Sequence, residues 1–215
     1  MILLNFGKPT KFTKVCIMNY LAHAWLSFHQ PEITVGNIIS DFIKGKKQYD
    51  FSAGIQEGIR LHRAIDEFTD SHPATKELKE FFRPEYRLYA GAFGDVVYDY
   101  FLANDKNEFP SASALEDFSA SVYAIIDERF QELPAGFQRL FPYMRSQDWL
   151  FNYREPWLIE RSFHGLERRA IYLQESGIAF KIFSENIEVM RSCYMSFFPE
   201  LKAFAIHKLQ ELQKG

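Results

Sequence analysis

The chain has 215 residues, enough for one domain with a sizeable core. Apolar residues make up 47% and aromatics 17%, with 22 phenylalanines, a composition that excludes disorder over most of the length. The net charge of −3 argues against a general nucleic-acid binder, whose footprint would be broadly basic. Acids and bases interrupt every apolar run, so no membrane span is expected. Cys16 and Cys193 offer neither a disulfide framework nor zinc-ligand spacing, which fits a reducing cytoplasm.

Residues 1–17 are basic and somewhat apolar, with Lys8, Lys11 and Lys14 and no acid. They lack the compact apolar core and cleavage site of a secretory signal, and are expected to be a poorly ordered extension ahead of a domain over 18–215. Asn19 to Phe28 reads as a helical segment with His23 among Leu21, Ala22, Trp25 and Leu26. Pro31 opens a second helix whose buried stripe is Val35, Ile38, Ile39 and Phe42, with Lys44-Gly45-Lys46-Lys47 expected to close it. A central helix, capped by Asp50 or Ser52, carries Ile55, Ile59, Leu61, Ile65 and Phe68 and ends near Pro73.

Pro73 to Phe82 and Pro84 to Leu102 read as two further helices, and Ser111 or Ser113 starts the next, through Phe130. Pro134 to Met144, Trp149 to Tyr153 and Trp157 to Leu173 follow as shorter pieces. Ile178 to Leu212 is expected as one long helix interrupted near Pro199. Sustained strand alternation is scarce, so the expected fold is a single all-α domain, a helical bundle.

Three helices each carry a polar pair four residues apart: Asn37 with Asp41, His62 with Asp66, and Asp95 with Asp99. Four-residue steps keep side chains on one helical face, and bundles build metal sites from inward-facing histidines and carboxylates. A carboxylate beside Val96, Val97 and Phe101 is costly to bury unless paired or bound to a cation. Imidazole and carboxylate without cysteine favour Mn²⁺, Mg²⁺ or Fe²⁺ over a structural zinc. Each piece also has a plain structural explanation, such as a core histidine at His23 or a tyrosine hydroxyl partner for Asp99. His29, His72, His164 and His207 show no consistent acidic partner pattern and read as surface or structural. Spacing alone leaves open a metal-dependent phosphodiester hydrolase, acting on a nucleotide or other small phosphodiester among other substrates, and a non-catalytic helical binding module.

Met18-Asn-Tyr-Leu-Ala-His23, Gly36-Asn-Ile-Ile-Ser-Asp41-Phe, Gly58-Ile-Arg-Leu-His62-Arg-Ala-Ile-Asp66 and Thr69-Asp70 resemble the acyl carrier protein phosphodiesterase family. Gly94-Asp95-Val-Val-Tyr-Asp99-Tyr-Phe-Leu resembles the next block, with weaker echoes at Trp149 to Arg154 and at Phe198-Pro199. The resemblance implies an all-helical enzyme distantly similar to His-Asp metal-dependent phosphohydrolases. It would use Mn²⁺ or a similar ion to remove the 4′-phosphopantetheine arm from holo-acyl carrier protein. Unlike that wider group, this chain has no adjacent His-Asp dipeptide; His62 and Asp66 stand a full turn apart.

Carried onto this sequence, the implied catalytic residues are His23, Asp41, Asp66 and Arg63, and the metal ligands His62, Asp66, Asp95 and Asp41. Asn37, Asp70 and Asp99 are implied as supporting residues. The partner should be acidic, so local positive charge is expected to receive it despite the net negative charge. Lys44, Lys46, Lys47 and Arg60 are the first candidates, and Arg168 with Arg169 the second.

Overall fold

The apolar periodicity is realised as helix after helix. The computed structural model describes residues 20–169 and 177–214, and among these residues there are eleven α-helices and no strand. Residues 1–17, Leu173, and the side chains of Arg168 and Arg169 lie outside the described residues. In chain order the helices are α1 (Tyr20–Trp25), α2 (Pro31–Ile39), α3 (Ala53–Ser71), α4 (Pro73–Tyr86), α5 (Ala90–Ala103) and α6 (Ala112–Glu128). They continue with α7 (Ala135–Ser146), α8 (Trp149–Asn152), α9 (Pro156–Arg169), α10 (Ile178–Glu185) and α11 (Ile187–Leu212). The all-α architecture expected from the sequence is the one adopted.

The centre is α3, whose Ile55, Ile59, Leu61 and Ile65 are buried on the stripe its spacing foretold. It is covered by α2 on one flank and by α11 and α4 on another, and α5 packs against α1, α4 and α9. An aromatic layer stiffens that second group: Phe93 of α5 lies 5.3 Å from Phe82 of α4 and 5.1 Å from Phe163 of α9, ring to ring. Each fully buried ring contributes roughly 1.5–3 kcal/mol of apolar burial.

Helix starts follow local chemistry. Pro31 and Pro73 occupy first-turn positions, where no amide hydrogen is needed. Ser111 caps α6 by accepting from the Ala114 amide, and His72 Nδ1 does the same for Ala74 at the head of α4. Ser52 precedes α3, but its hydroxyl donates to Glu32 across the α2–α3 seam instead of capping.

Four boundaries differ from expectation. The lysine-glycine run does not close α2, which ends at Ile39; a 3₁₀ turn over Ser40–Phe42 follows, and Gly45 (φ +59°) opens a second over Gly45–Asp50. Pro84 does not start a helix. It sits exposed in the last turn of α4, where one missing amide bond costs little, and the break falls at Arg87 with φ +46°. Pro199 does not interrupt α11, because it faces solvent while Phe197, Phe198 and Leu201 clamp the helix to its neighbours. The break lies instead at Asn186, whose side-chain amide donates to the Ile182 carbonyl and ends α10.

Candidate metal centre

His23 lies in α1, Asn37 in α2, Asp41 in the 3₁₀ turn beyond it, and His62 and Asp66 one turn apart in α3. Their meeting depends on a backbone-to-backbone crossing of α2 and α3. A Cβ on Gly36 would stand 2.1 Å from the Ile55 carbonyl oxygen, and one on Gly58 2.4 Å from that of Ile33. Only glycine at both positions lets the helices approach so closely. At that distance the Asn37 carbonyl reaches His62 Nδ1 at 2.7 Å.

The two imidazoles stack face to face, with centroids 3.9 Å apart. Both are almost wholly buried, and both direct Nε2 to the Asp66 carboxylate: His23 Nε2 to Oδ1 at 3.3 Å, His62 Nε2 to Oδ2 at 3.3 Å. Asp41 Oδ1 stands 3.6 Å from His62 Nε2. Neither Nε2 atom is in hydrogen-bond geometry with any protein atom, although both are buried. Buried nitrogen atoms left so are costly unless a proton facing the carboxylates or a bound cation compensates them. Donor atoms of His23, His62 and Asp66 all lie within 4.8 Å of one another.

Electrostatics point the same way. Burial and the neighbouring His62 hold His23 below the ordinary imidazole value, so it is neutral. Burial would lower His62 too, but the Asp41 and Asp66 carboxylates outweigh it and raise it to about 9. Burial would raise Asp66, but the two imidazoles outweigh it and hold the carboxyl well below its usual range. Asp95 is only partly covered, yet lost hydration, and then the charge of Asp66, push its carboxyl up to about 8. Asp70 and Asp41 add to that rise and Lys79 opposes it, so Asp95 shares the field of the same cluster. A pocket that gathers anions this densely calls for positive charge.

The remaining expected residues go to different places. Asp99 is fully buried and accepts hydrogen bonds from the Leu21 and Ala22 amides at 3.0 and 2.9 Å, anchoring the start of α1. No tyrosine hydroxyl is needed to explain it. Asp70 pairs with Lys79 at 2.7 Å. Arg63 is exposed and donates to Gln48 Oε1 at 2.9 Å, tying the Gly45–Asp50 turn to α3. Lys44, Lys46, Lys47 and Arg60 are all exposed, the three lysines on or beside that turn.

Arg63, Asp66, Glu67, Asp70 and Ser71 border an open cleft of about 550 Å³, which gives access to the Asp66 carboxylate. Sequence reasoning passed over two residues here. Lys79 reaches Asp70 from α4, nine residues away in sequence on another helix, so no periodicity shows it. Ser27, four residues after His23, links the His23 carbonyl to Asn37; that spacing was a usable signal. A second cleft, of about 320 Å³ along α11, has carboxylates that are already engaged: Glu108 by Trp25 and Lys202, and Asp105 by Tyr194.

Fold and site together define the class: an all-α protein whose helices converge histidine and carboxylate donors at one cleft. The family described as acyl carrier protein phosphodiesterase matches residues 18–201, and the chain belongs to that family of hydrolases. The chain is 30% identical over 191 residues to an acyl carrier protein phosphodiesterase of Yersinia pestis, covering 89% of this chain and 99% of the relative. One from Enterobacter sp. (strain 638) is likewise 30% identical, with the same coverage. A relative of the same name from Escherichia coli O139:H28 is 28% identical over 191 residues, again with that coverage. No solved structure matches the chain, so the likeness to His-Asp phosphohydrolases stays an expectation from sequence. Among the described residues no helix is long and apolar enough to cross a membrane.

Proposed function

We propose that this chain is a metal-dependent phosphodiesterase that hydrolyses the 4′-phosphopantetheine arm from the serine of holo-acyl carrier protein in the cytoplasm. Water adds across the phosphorus–serine oxygen bond, so the products are apo-acyl carrier protein, with its serine hydroxyl restored, and 4′-phosphopantetheine. The relatives' name supports the substrate. The observation that carries the metal dependence is the pair of buried Nε2 atoms directed at Asp66 without hydrogen-bond partners.

His23, His62 and Asp66, with Asp41 beside them, are the residues that would hold the ion; the Asp95 carboxyl on α5, which keeps its proton up to about pH 8 in the same field, would release it beside a bound cation. Nitrogen and oxygen donors without sulfur suit Mn²⁺, with Mg²⁺ or Fe²⁺ as alternatives. When bound, such an ion supplies charge to polarise a phosphate oxygen and acidify a water. Arg63 at the cleft rim offers a planar cation for the phosphate, at the expense of its bond to Gln48. The Lys44–Lys47 turn, tied to α3 by that bond until the phosphate takes Arg63, receives the acidic partner.

The test is intact-mass spectrometry of holo-acyl carrier protein incubated with the purified protein and Mn²⁺, with an EDTA control. Loss of the phosphopantetheine mass only when metal is present is expected. No loss from a folded, metal-loaded protein would sink the named activity. Equal turnover of a generic aryl phosphodiester would favour a small-molecule substrate in the open cleft.

A further inference from the structure

Asn37 is wholly buried, and its polar atoms are all committed. Its side-chain nitrogen donates to the His23 carbonyl at 2.8 Å and to Ser27 Oγ at 3.1 Å. A carbonyl only accepts, so the amide has one permitted orientation, with Oδ1 facing His23 Nδ1 at 2.7 Å. Ser27 closes the network by donating its own hydrogen to the same His23 carbonyl at 2.8 Å. An amide oxygen also only accepts, so His23 Nδ1 must carry the proton.

The same logic applies to the second ring through the same residue. His62 Nδ1 faces the backbone carbonyl of Asn37 at 2.7 Å, and that oxygen can only accept. His62 Nδ1 is therefore protonated as well, and any proton His62 yields to a cation is the one on Nε2. A neutral imidazole protonated on Nδ1 has its lone pair on Nε2. Both Nε2 atoms are the ones turned to Asp66.

We propose that Asn37 is a positioning residue that sets the tautomers of His23 and His62 together, through its side-chain and backbone oxygens, so that both Nε2 lone pairs serve one cation. This rests on the metal-centre reading above. It goes beyond a supporting role, because it assigns a proton to a named atom on each ring. Outer hydrogen bonds of this kind fix ring orientation and raise the basicity of the ligating nitrogen.

Long-range ¹H–¹⁵N NMR of the imidazoles in metal-free wild-type protein provides the first test, and it needs no variant. His23 is expected as the Nδ1–H tautomer; an Nε2–H signal for His23 would overturn the proposal. Asn37→Leu should then weaken Mn²⁺ binding by about 10- to 100-fold and release the His23 tautomer. Ser27→Ala removes a neighbour from the same network but leaves Oδ1 facing Nδ1, so its Mn²⁺ affinity should stay within about threefold of wild type. Equal losses in both variants, or an Asn37→Leu protein with unchanged tautomer and affinity, would reduce Asn37 to a packing residue. If Asn37→Leu fails to fold, the wild-type spectrum still decides. The tautomer readout involves no substrate, so a failure of the carrier-protein reading leaves it standing, and the reverse also holds.

Discussion

Gly36 and Gly58 touch backbone to backbone: a Cβ on either would come within 2.9 Å of the other's Cα. Gly36 precedes Asn37, and Gly58 lies one turn before His62, so this contact sets the spacing of the whole centre. Gly36→Ala or Gly58→Ala must push two rigid backbones apart, where no flexible side chain can yield. Each is expected to cost about 3 kcal/mol, the upper end for overpacking, and to weaken Mn²⁺ binding as the Asn37 carbonyl moves off His62. Urea unfolding and metal titration check both. Full stability in either variant would contradict the crossing.

Metal-free protein should lose stability as the pH rises. Folding raises His62 from 6.5 to about 9, so its stabilisation is complete below 6.5 and gone once the pH has passed through about 9. Asp95, raised from 3.8 to about 8, acts with the same sign, because the folded state keeps a proton the unfolded chain has released. The melting temperature of EDTA-treated protein should therefore fall by several degrees between pH 6.5 and 9. Saturating Mn²⁺ takes the place of those protons and should flatten the decline. A melting temperature that rises over this interval without metal would refute the assignment.

Asp66 and Asp99 should separate chemistry from architecture. Asp66→Ala removes the carboxylate to which both imidazoles turn, and turnover should drop by about 100-fold or more. Asp99→Ala leaves two buried amides of α1 unpaired, at about 1–3 kcal/mol, and lowers stability. At saturating Mn²⁺ its folded fraction should turn over at a rate close to wild type. Steady-state kinetics beside thermal melts distinguish the two outcomes.

Lys44, Lys46 and Lys47 are exposed, so reversing their charge should leave folding untouched. Against holo-acyl carrier protein the triple Lys→Glu variant should raise KM by about tenfold at low salt, with kcat nearly unchanged. Wild-type KM should climb with ionic strength, and the variant's much less. Identical salt profiles would remove this turn from the docking surface.

Much of this was legible in the chain. Helix class followed from apolar spacing on α3 and from prolines 31 and 73 at helix starts. Prolines 84 and 199 misled, because a proline on a solvent-facing turn is tolerated when the opposite face is buried; solvent direction is a tertiary property. His23, Asp41, His62 and Asp66 stood in recognisable motifs, and their elements bring them together. Asp95 and Asp99 look alike in sequence, one turn apart on α5, yet one joins the charge cluster and the other holds a helix end. Only the position of α1 separates those roles. Lys79 and the double use of Asn37 were hidden for a related reason: each depends on which helix lies across the gap.

α1 spans six residues, too few to persist as a helix in water without outside support. Its first amides are fastened to α5 by Asp99, and its His23 is fastened to α2 by Asn37. It therefore works as a coupling rod between two helices that carry other parts of the centre. The short helix keeps its shape only through its ties to the two helices it bridges, and Asn37, on one of them, holds both imidazoles.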